Sequence, residues 1–303
     1  MTSAKTRLLR AIHRRYFAWR LPEMVAPGIQ IALDYPVTPA TRYGEGRAAH
    51  GQLDRVLGSG VDRYLDLLRE LAANRAALAQ IPRVAGRPDE PMWGNDYFTG
   101  LDAIALYGLI GINRPARFLE IGSGNSTRFA RRAMQDHALA THITSVDPAP
   151  RAEIDALCDK VVRSRCEDAD PRLADALAPG DILFVDNSHR AFQNSDATVF
   201  FLEWLPRVRA GVLVHIHDIF LPFDYPSVWA SRYYSEQYLL ATWLLGGGEG
   251  LEIVLPVAFA DRHADLGRCI AEDWAGEPFD AAFAHNRRMT GGYVGTSMWL
   301  RKR

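Results

Sequence analysis

A glycine-bearing turn between an apolar run and a helix start constrains this chain more than any other feature. Gly122 and Gly124 follow the apolar run from Phe118 to Ile121, and Ser126 opens a segment with helical spacing. A strand, a tight loop and a helix N-terminus are therefore predicted over residues 117–127. Glycines let the backbone approach a ligand closely, and the free N–H groups of a helix start favour a polar or anionic group.

The acid before these glycines restricts the kind of ligand. Glu120 would repel a phosphate, whereas it suits a ligand that carries amino, hydroxyl or sulfonium groups. A dinucleotide-binding loop also needs a third glycine, and this chain has Thr127 at that position. The turn therefore disfavours a pyrophosphate and favours another cofactor.

The run from Glu120 to Thr127 resembles the first motif of class I S-adenosylmethionine (SAM)-dependent methyltransferases, within them the branch of macrocin-type O-methyltransferases. The resemblance covers roughly residues 96–303 and implies SAM as the cofactor. Two alternatives stay open: an NAD- or nucleotide-binding oxidoreductase, and a non-catalytic methyltransferase-like binding protein. The cofactor contacts implied in the turn are Glu120, Gly122, Ser123, Gly124, Asn125, Ser126 and Thr127.

From about Tyr97, helical segments alternate with short apolar runs, which predicts an α/β fold with a doubly wound, mostly parallel sheet. The resemblance implies seven strands, of which the last is antiparallel. The predicted strands are 116–121, 142–146, 160–163, 182–185, 211–216, 251–258 and 293–300. The predicted helices are 98–112, 126–137, 151–158, 171–177, 195–208 and 227–245.

Residues 1–95 are predicted to form a helical extension, and residues 96–303 the SAM-binding domain. Residues 1–20 carry basic side chains, no acid and apolar residues at helical spacing, which predicts a basic amphipathic helix. Such a helix either packs on its own domain or a second subunit of a homo-oligomer, or docks on a membrane surface or a partner.

The overall composition points to a cytoplasmic enzyme without a nucleic-acid partner. The net charge is −1, so nothing attracts the whole chain to nucleic acid. The three cysteines are odd in number and form no C-x-x-C pair, which favours reduced thiols in the cytoplasm. No stretch is long and apolar enough to span a bilayer.

Polar side chains follow the predicted strands, and in open α/β sheets ligands bind beyond those strand ends. Asp147 follows the second strand, where a carboxylate can accept hydrogen bonds from ribose hydroxyls. Glu167 or Asp168, after the third strand, either accepts from an adenine amino group or caps the helix near Pro171. Asp186, after the fourth strand, is predicted to contact the cofactor.

Two residues are predicted to act in catalysis, His189 and Asp186. A hydroxyl that accepts a methyl group must lose its proton, and histidine is the commonest general base near neutral pH. The alternative is that His189 caps a helix or orients the loop. In the macrocin-type branch, an aspartate after strand four and an acidic pair after strand five bind a divalent metal. Asp186, His217 and Asp218 take these positions, and His217 departs from the pattern.

The segment after the fifth strand is predicted to form an aromatic-walled pocket for a small-molecule acceptor. The alternative is ordinary core packing, with Tyr234 and Tyr238 against the sheet and Glu236 exposed. By analogy with the family, the expected reaction is O-methylation of a sugar or another secondary metabolite. The tentative substrate contacts are His217, Asp218, Arg232, Tyr233 and Glu236.

Overall fold

Seven strands form one sheet in the order β3-β2-β1-β4-β5-β7-β6 in the computed structural model, which describes residues 37–150 and 152–303. The first five strands are parallel, and β7 runs antiparallel to both β5 and β6. The predicted seven-stranded, mostly parallel fold is confirmed. The strands are β1 Arg117–Ile121, β2 His142–Val146, β3 Lys160–Val162, β4 Ile182–Val185, β5 Leu213–Ile216, β6 Leu251–Pro256 and β7 Met298–Lys302.

The strand order reverses between β1 and β4, and this reversal locates the site. Strands β4 and β5 are buried along their whole length, as expected for central strands covered on both faces. Ile121, the last residue of β1, pairs with Val146 of β2 and with Val185 of β4. The carboxyl ends of these three strands therefore meet at one edge, where open α/β sheets bind ligands.

The helices are α1 Gly51–Gly58, α2 Val61–Ala72, α3 Arg75–Leu78, α4 Leu101–Asn113, α5 Asn125–Asp136, α6 Asp196–Val199, α7 Glu236–Leu245, α8 Val257–Arg262, α9 Ala264–Asp273 and α10 Phe279–Met289. The helices predicted at 151–158 and 171–177 are only 3₁₀ turns, at Asp155–Leu157 and Pro171–Ala176. The final strand begins at Met298, later than predicted, and α8 to α10 were not predicted.

Two predicted long helices are interrupted. The segment 195–208 begins as α6, continues as a π-helix over Phe200–Trp204 and ends in a 3₁₀ turn over Leu205–Arg207. Pro206 lacks the N–H that a regular helix needs, which accounts for the irregular end. The segment 227–245 divides into a 3₁₀ helix over Ser227–Arg232 and α7.

The chain divides into residues 1–39 and a compact unit of residues 40–303. The core of the larger unit joins apolar residues of α1 and α2, such as Leu57 and Leu68, to the buried strands. The basic helix predicted at residues 1–20 lies outside the described residues. The domain boundary at residue 95 and the homo-oligomer stay predictions. No helix of residues 37–150 and 152–303 has the length and apolar character to cross a bilayer.

Candidate active site

The acid before the glycines anchors the start of α5 to β1. Glu120 is fully buried, and its carboxylate accepts hydrogen bonds from Ser126 Oγ at 2.6 Å and Thr127 Oγ1 at 2.5 Å. Burial raises the pKa of Glu120 to about 7, although the hydrogen bonds to these hydroxyls act in the opposite direction. Both hydroxyls, which belong to the implied cofactor contacts, are engaged with Glu120, and Thr127 Oγ1 also accepts a hydrogen bond from Gly124 N at 3.1 Å.

Gly122 packs the turn against the residue that follows β4. Its φ is +79°, and an added Cβ would lie 1.8 Å from the carbonyl oxygen of Asp186. Asp186 N donates to the carbonyl of Ile121 at 2.9 Å. Gly124 is different, because its backbone is extended at φ 169° and its added Cβ would meet no atom within 4 Å. Only Gly122 is therefore required by the packing of the turn.

A cavity of about 340 Å³ and another of about 330 Å³ lie beside this edge of the sheet. The smaller, which we name the cofactor cavity, is lined by Ile121, Gly122, Ser123, Val146, Asp147, Pro148, Ala149, Arg165, Cys166, Glu167, Asp186, Asn187, Ser188 and Asp196. The predicted cofactor residues outside its lining are Glu120, Gly124, Asn125, Ser126, Thr127 and Asp168.

Two acids of the cofactor cavity lie where the sequence places them. The Asp147 carboxylate accepts hydrogen bonds from Ser123 N and Ala149 N, both at 2.8 Å, one on each oxygen. Each of these oxygens keeps a further lone pair for a ligand hydroxyl. Glu167 lines the cavity, whereas Asp168 is exposed and pairs with Arg165.

Neither Glu167 nor Asp168 caps the helix near Pro171, as one alternative predicted. The side chain of Asp170 accepts from Arg172 N at 3.0 Å and so caps the 3₁₀ helix that begins at Pro171. Asn187 and Asp196 also lie in the wall of the cofactor cavity and were not predicted. Asp196 accepts from Ser188 N at 2.7 Å, which ties α6 to the turn after β4.

The larger cavity, which we name the acceptor cavity, is lined by Asp96, Tyr97, Asp102, Asp186, His189, His217, Asp218, Trp229, Arg232, Tyr234, Asn286, Met289, Thr290 and Thr296. Asp186 lines both cavities. Of the predicted substrate contacts, His217, Asp218 and Arg232 line the acceptor cavity. Tyr233 is exposed, and Glu236 is fully buried rather than exposed as expected.

His189 lies among three carboxylates. Its Nε2 is 3.2 Å from Asp186 Oδ1 and 3.3 Å from Asp218 Oδ2, and its Nδ1 is 3.0 Å from Glu236 Oε2. Burial alone would lower the pKa of His189, but the Asp218 charge and the hydrogen bonds to Asp186 and Glu236 raise it well above 6.5. The surrounding carboxylates therefore favour the protonated form of this ring.

A second imidazole joins the same cluster. His217 Nδ1 is 3.4 Å from Asp186 Oδ1 and 3.6 Å from Asp218 Oδ1, and its Nε2 is 3.4 Å from Asp102 Oδ2. Against the effect of burial, these carboxylates raise the pKa of His217 well above its usual value. Burial by itself would raise the pKa of Asp186, but His217 and His189 outweigh it and lower that pKa.

Asp102 was missed, although the sequence carries a signal for it. It is the one acid in α4, a helix of otherwise apolar or small residues, and it is 2 % exposed. Its Oδ1 accepts Thr296 N at 2.8 Å and Ser297 N at 2.7 Å. A lone acid in a buried helix needs hydrogen-bond partners. For Asp102 these are the backbone N–H groups just before β7 and the ring of His217.

An aromatic wall closes one side of the acceptor cavity. The guanidinium of Arg232 lies 3.9 Å from the ring centroid of Trp229, whose Nε1 donates to Met289 O at 2.7 Å. Tyr234 lines the cavity and also packs against a buried cluster that includes Tyr225 and Trp229, whereas Tyr238 is exposed. The wall thus combines 3₁₀ helix 227–232 with α10.

Comparison with known families adds to this geometry. Residues 119–219 match the family model described as a methyltransferase domain. This stretch begins within β1 and ends just after β5, so it holds the glycine turn, Asp147, Asp186, His189 and the His217–Asp218 pair. The chain contains a methyltransferase domain. No curated protein matches the chain.

Solved structures resemble the methyltransferase at low identity. A Podospora anserina methyltransferase with bound S-adenosylhomocysteine (SAH) is 14 % identical, with 67 % of this chain and 78 % of that one covered and a TM-score of 0.39. An O-methyltransferase of Bacillus cereus in complex with SAH is 16 % identical, with 79 % and 90 % covered and a TM-score of 0.39. The methyltransferase MycE of the mycinamycin pathway, in complex with Mg, SAH and mycinamycin VI, is 18 % identical, with 64 % and 47 % covered and a TM-score of 0.33.

The residues predicted to hold a metal, Asp186, His217 and Asp218, do come together in the methyltransferase, and the divalent metal stays a prediction. His189 Nε2 contacts both Asp186 and Asp218, which were the two predicted carboxylate ligands. Within residues 37–150 and 152–303, no group of three or more His, Cys, Asp or Glu side chains has the geometry of a metal site.

Proposed function

We propose that this methyltransferase moves the methyl group of SAM to a hydroxyl oxygen of a small molecule. The observation that carries the proposal is that Asp186 lines both cavities, so that the two ligands would meet beside it. SAM supplies a methyl group on a positively charged sulfonium. The protein's task is then to align the acceptor oxygen with that methyl group, which is mainly a matter of positioning.

The cofactor cavity offers groups that match the parts of SAM. The Asp147 carboxylate is held by two backbone N–H groups and can accept from ribose hydroxyls. Glu167 can accept from the adenine amino group. Gly122 packs against the Asp186 carbonyl and lines the cavity, and we place the methionine part there.

The acceptor cavity favours a compact, polyhydroxylated molecule such as a sugar. Its lining is mainly polar. The carboxylates, Asn286, Thr290 and Arg232 can form hydrogen bonds with hydroxyl groups, and Trp229 supplies an apolar face. Sites for small polar ligands commonly combine an aromatic wall with a few placed polar groups.

We assign the general base to His189, at Nε2. This nitrogen lies beside Asp186, at the junction of the two cavities, and Nδ1 is already engaged with Glu236. The imidazolium must lose its Nε2 proton before it can accept one from the acceptor hydroxyl. The surrounding carboxylates oppose this loss, so the base form becomes more populated as the pH rises.

Isothermal titration calorimetry with SAH tests the cofactor part of the proposal. We expect Glu167→Gln to weaken SAH binding, while Asp168→Asn, a neighbouring acid outside the cavity, leaves it unchanged. Absence of SAM and SAH binding by the folded protein at millimolar ligand would remove the proposed function. Thermal stabilisation by NAD(H) and not by SAM would favour an oxidoreductase instead.

Transfer of a labelled methyl group from SAM to a panel of sugars and other hydroxylated compounds tests the reaction. Binding of SAM without transfer to any acceptor would favour a non-catalytic binding protein. The predicted divalent metal is tested in the same assay, and activity that survives exhaustive chelation would exclude it.

A further inference from the structure

We propose that Glu236 is a positioning residue for His189, and not a substrate contact. The inference rests on the proposed function of His189 and deepens it. The Glu236 side chain is 1 % exposed and is absent from the lining of the acceptor cavity. A buried carboxylate needs partners of its own, and both of its oxygens have one.

These partners belong to the turn after β4. Glu236 Oε2 is 3.0 Å from His189 Nδ1, and Glu236 Oε1 accepts from Asn187 Nδ2 at 2.7 Å. The backbone adds two bonds, because Ser235 N and Glu236 N donate to the His189 carbonyl at 2.8 and 3.1 Å. The first residue of α7 therefore holds both the backbone and the ring of His189.

The hydrogen bond fixes which ring nitrogen can react. Burial raises the pKa of Glu236, while its hydrogen bonds to His189 and Asn187 lower it. In its ionised form the carboxylate only accepts hydrogen bonds, so Nδ1 is then the donor. Nε2 then becomes the nitrogen that gains or loses the exchangeable proton, and it is the one that faces Asp186 and Asp218. Glu236 also stabilises the positive ring that forms once Nε2 has taken a proton. In other enzymes, too, a carboxylate orients a histidine and stabilises its protonated ring while the histidine acts as the base.

Nitrogen NMR of the full chain, labelled with ¹⁵N at its nine histidines, tests the proposal without an acceptor. His189→Gln identifies the His189 signals by their loss. We expect a protonated Nδ1 in wild type and loss of its slowly exchanging proton in Glu236→Ala. We expect Glu236→Gln to retain that proton, because the amide oxygen of glutamine also accepts and the side chain is nearly the same size.

Activity gives the second readout once an acceptor is found. Glu236→Ala should lower kcat by about tenfold or more with SAH affinity unchanged, and Glu236→Gln should restore part of the loss. An Nδ1 that is unprotonated in wild type, or His189 signals that are identical in wild type and Glu236→Ala, would overturn the proposal. If methyl transfer is never detected but the Nδ1 proton behaves as expected, the proposed function fails and the positioning contact stands.

Discussion

Replacing Gly122 by alanine should disrupt the turn at the centre of the site. The added Cβ would lie 1.8 Å from the Asp186 carbonyl oxygen, far inside contact distance, and φ is +79°. A left-handed conformation costs an L-residue about 1–2 kcal/mol, and overpacking costs about 1–3 kcal/mol more. We therefore expect Gly122→Ala to reduce the free energy of unfolding by about 2–5 kcal/mol.

The matched control is Gly124→Ala, two residues along the same turn. Its extended backbone suits any residue and its Cβ would meet nothing within 4 Å, so we expect a change below about 1 kcal/mol. Urea denaturation followed by circular dichroism gives both values. Calorimetry with SAH should show a larger loss of affinity for Gly122→Ala, because the forced shift moves Asp186. Equal stability of the two variants would refute this reasoning.

Three further outcomes are expected. His189→Ala should lower the rate of methyl transfer by about 10²-fold or more with SAM affinity nearly unchanged, and equal rates in variant and wild type would remove His189 as the base. Because neighbouring carboxylates raise the pKa of His189 and only its neutral ring can accept a proton, kcat/KM should rise with pH through values above 6.5; a rate that falls with pH in that range contradicts the assignment. Asp102→Ala should leave the N–H groups of Thr296 and Ser297 without partners and reduce the free energy of unfolding by about 2 kcal/mol or more, measured in urea.

The sequence predicts best where a pattern is local. The strand that ends at Ile121, the glycine turn and the start of α5 lie within about a dozen consecutive residues, and all three form as predicted. β4 was placed at its observed bounds because its apolar run is short and bordered by turn residues. Helix α8 was missed because it follows β6 directly and is mostly buried. Its first apolar residues were therefore included in the predicted strand 251–258.

The site depends on contacts between distant positions, and these are not visible in local patterns. Glu236 was predicted as a substrate contact, and helical spacing placed it on the exposed face in the core-packing alternative. Its partner His189 lies 47 positions earlier in the chain, beyond the reach of such a local pattern. Asp102 meets Thr296 across 194 positions. Asp102 stands among apolar neighbours, and this signal indicates a buried partner without naming it, whereas Glu236 is flanked by Ser235 and Gln237 and carries no such signal.

The position of Asp186 in the walls of both cavities has a thermodynamic consequence. A ligand in one cavity that shifts Asp186 changes the free energy of binding in the other. Linkage then requires reciprocity: whatever factor SAM imposes on acceptor affinity, the acceptor imposes the same factor on SAM affinity. The carbonyl oxygen of Asp186 contacts Gly122 while its carboxylate contacts His189 and His217, so under the proposed function this residue would couple SAM binding to the protonation of the proposed base.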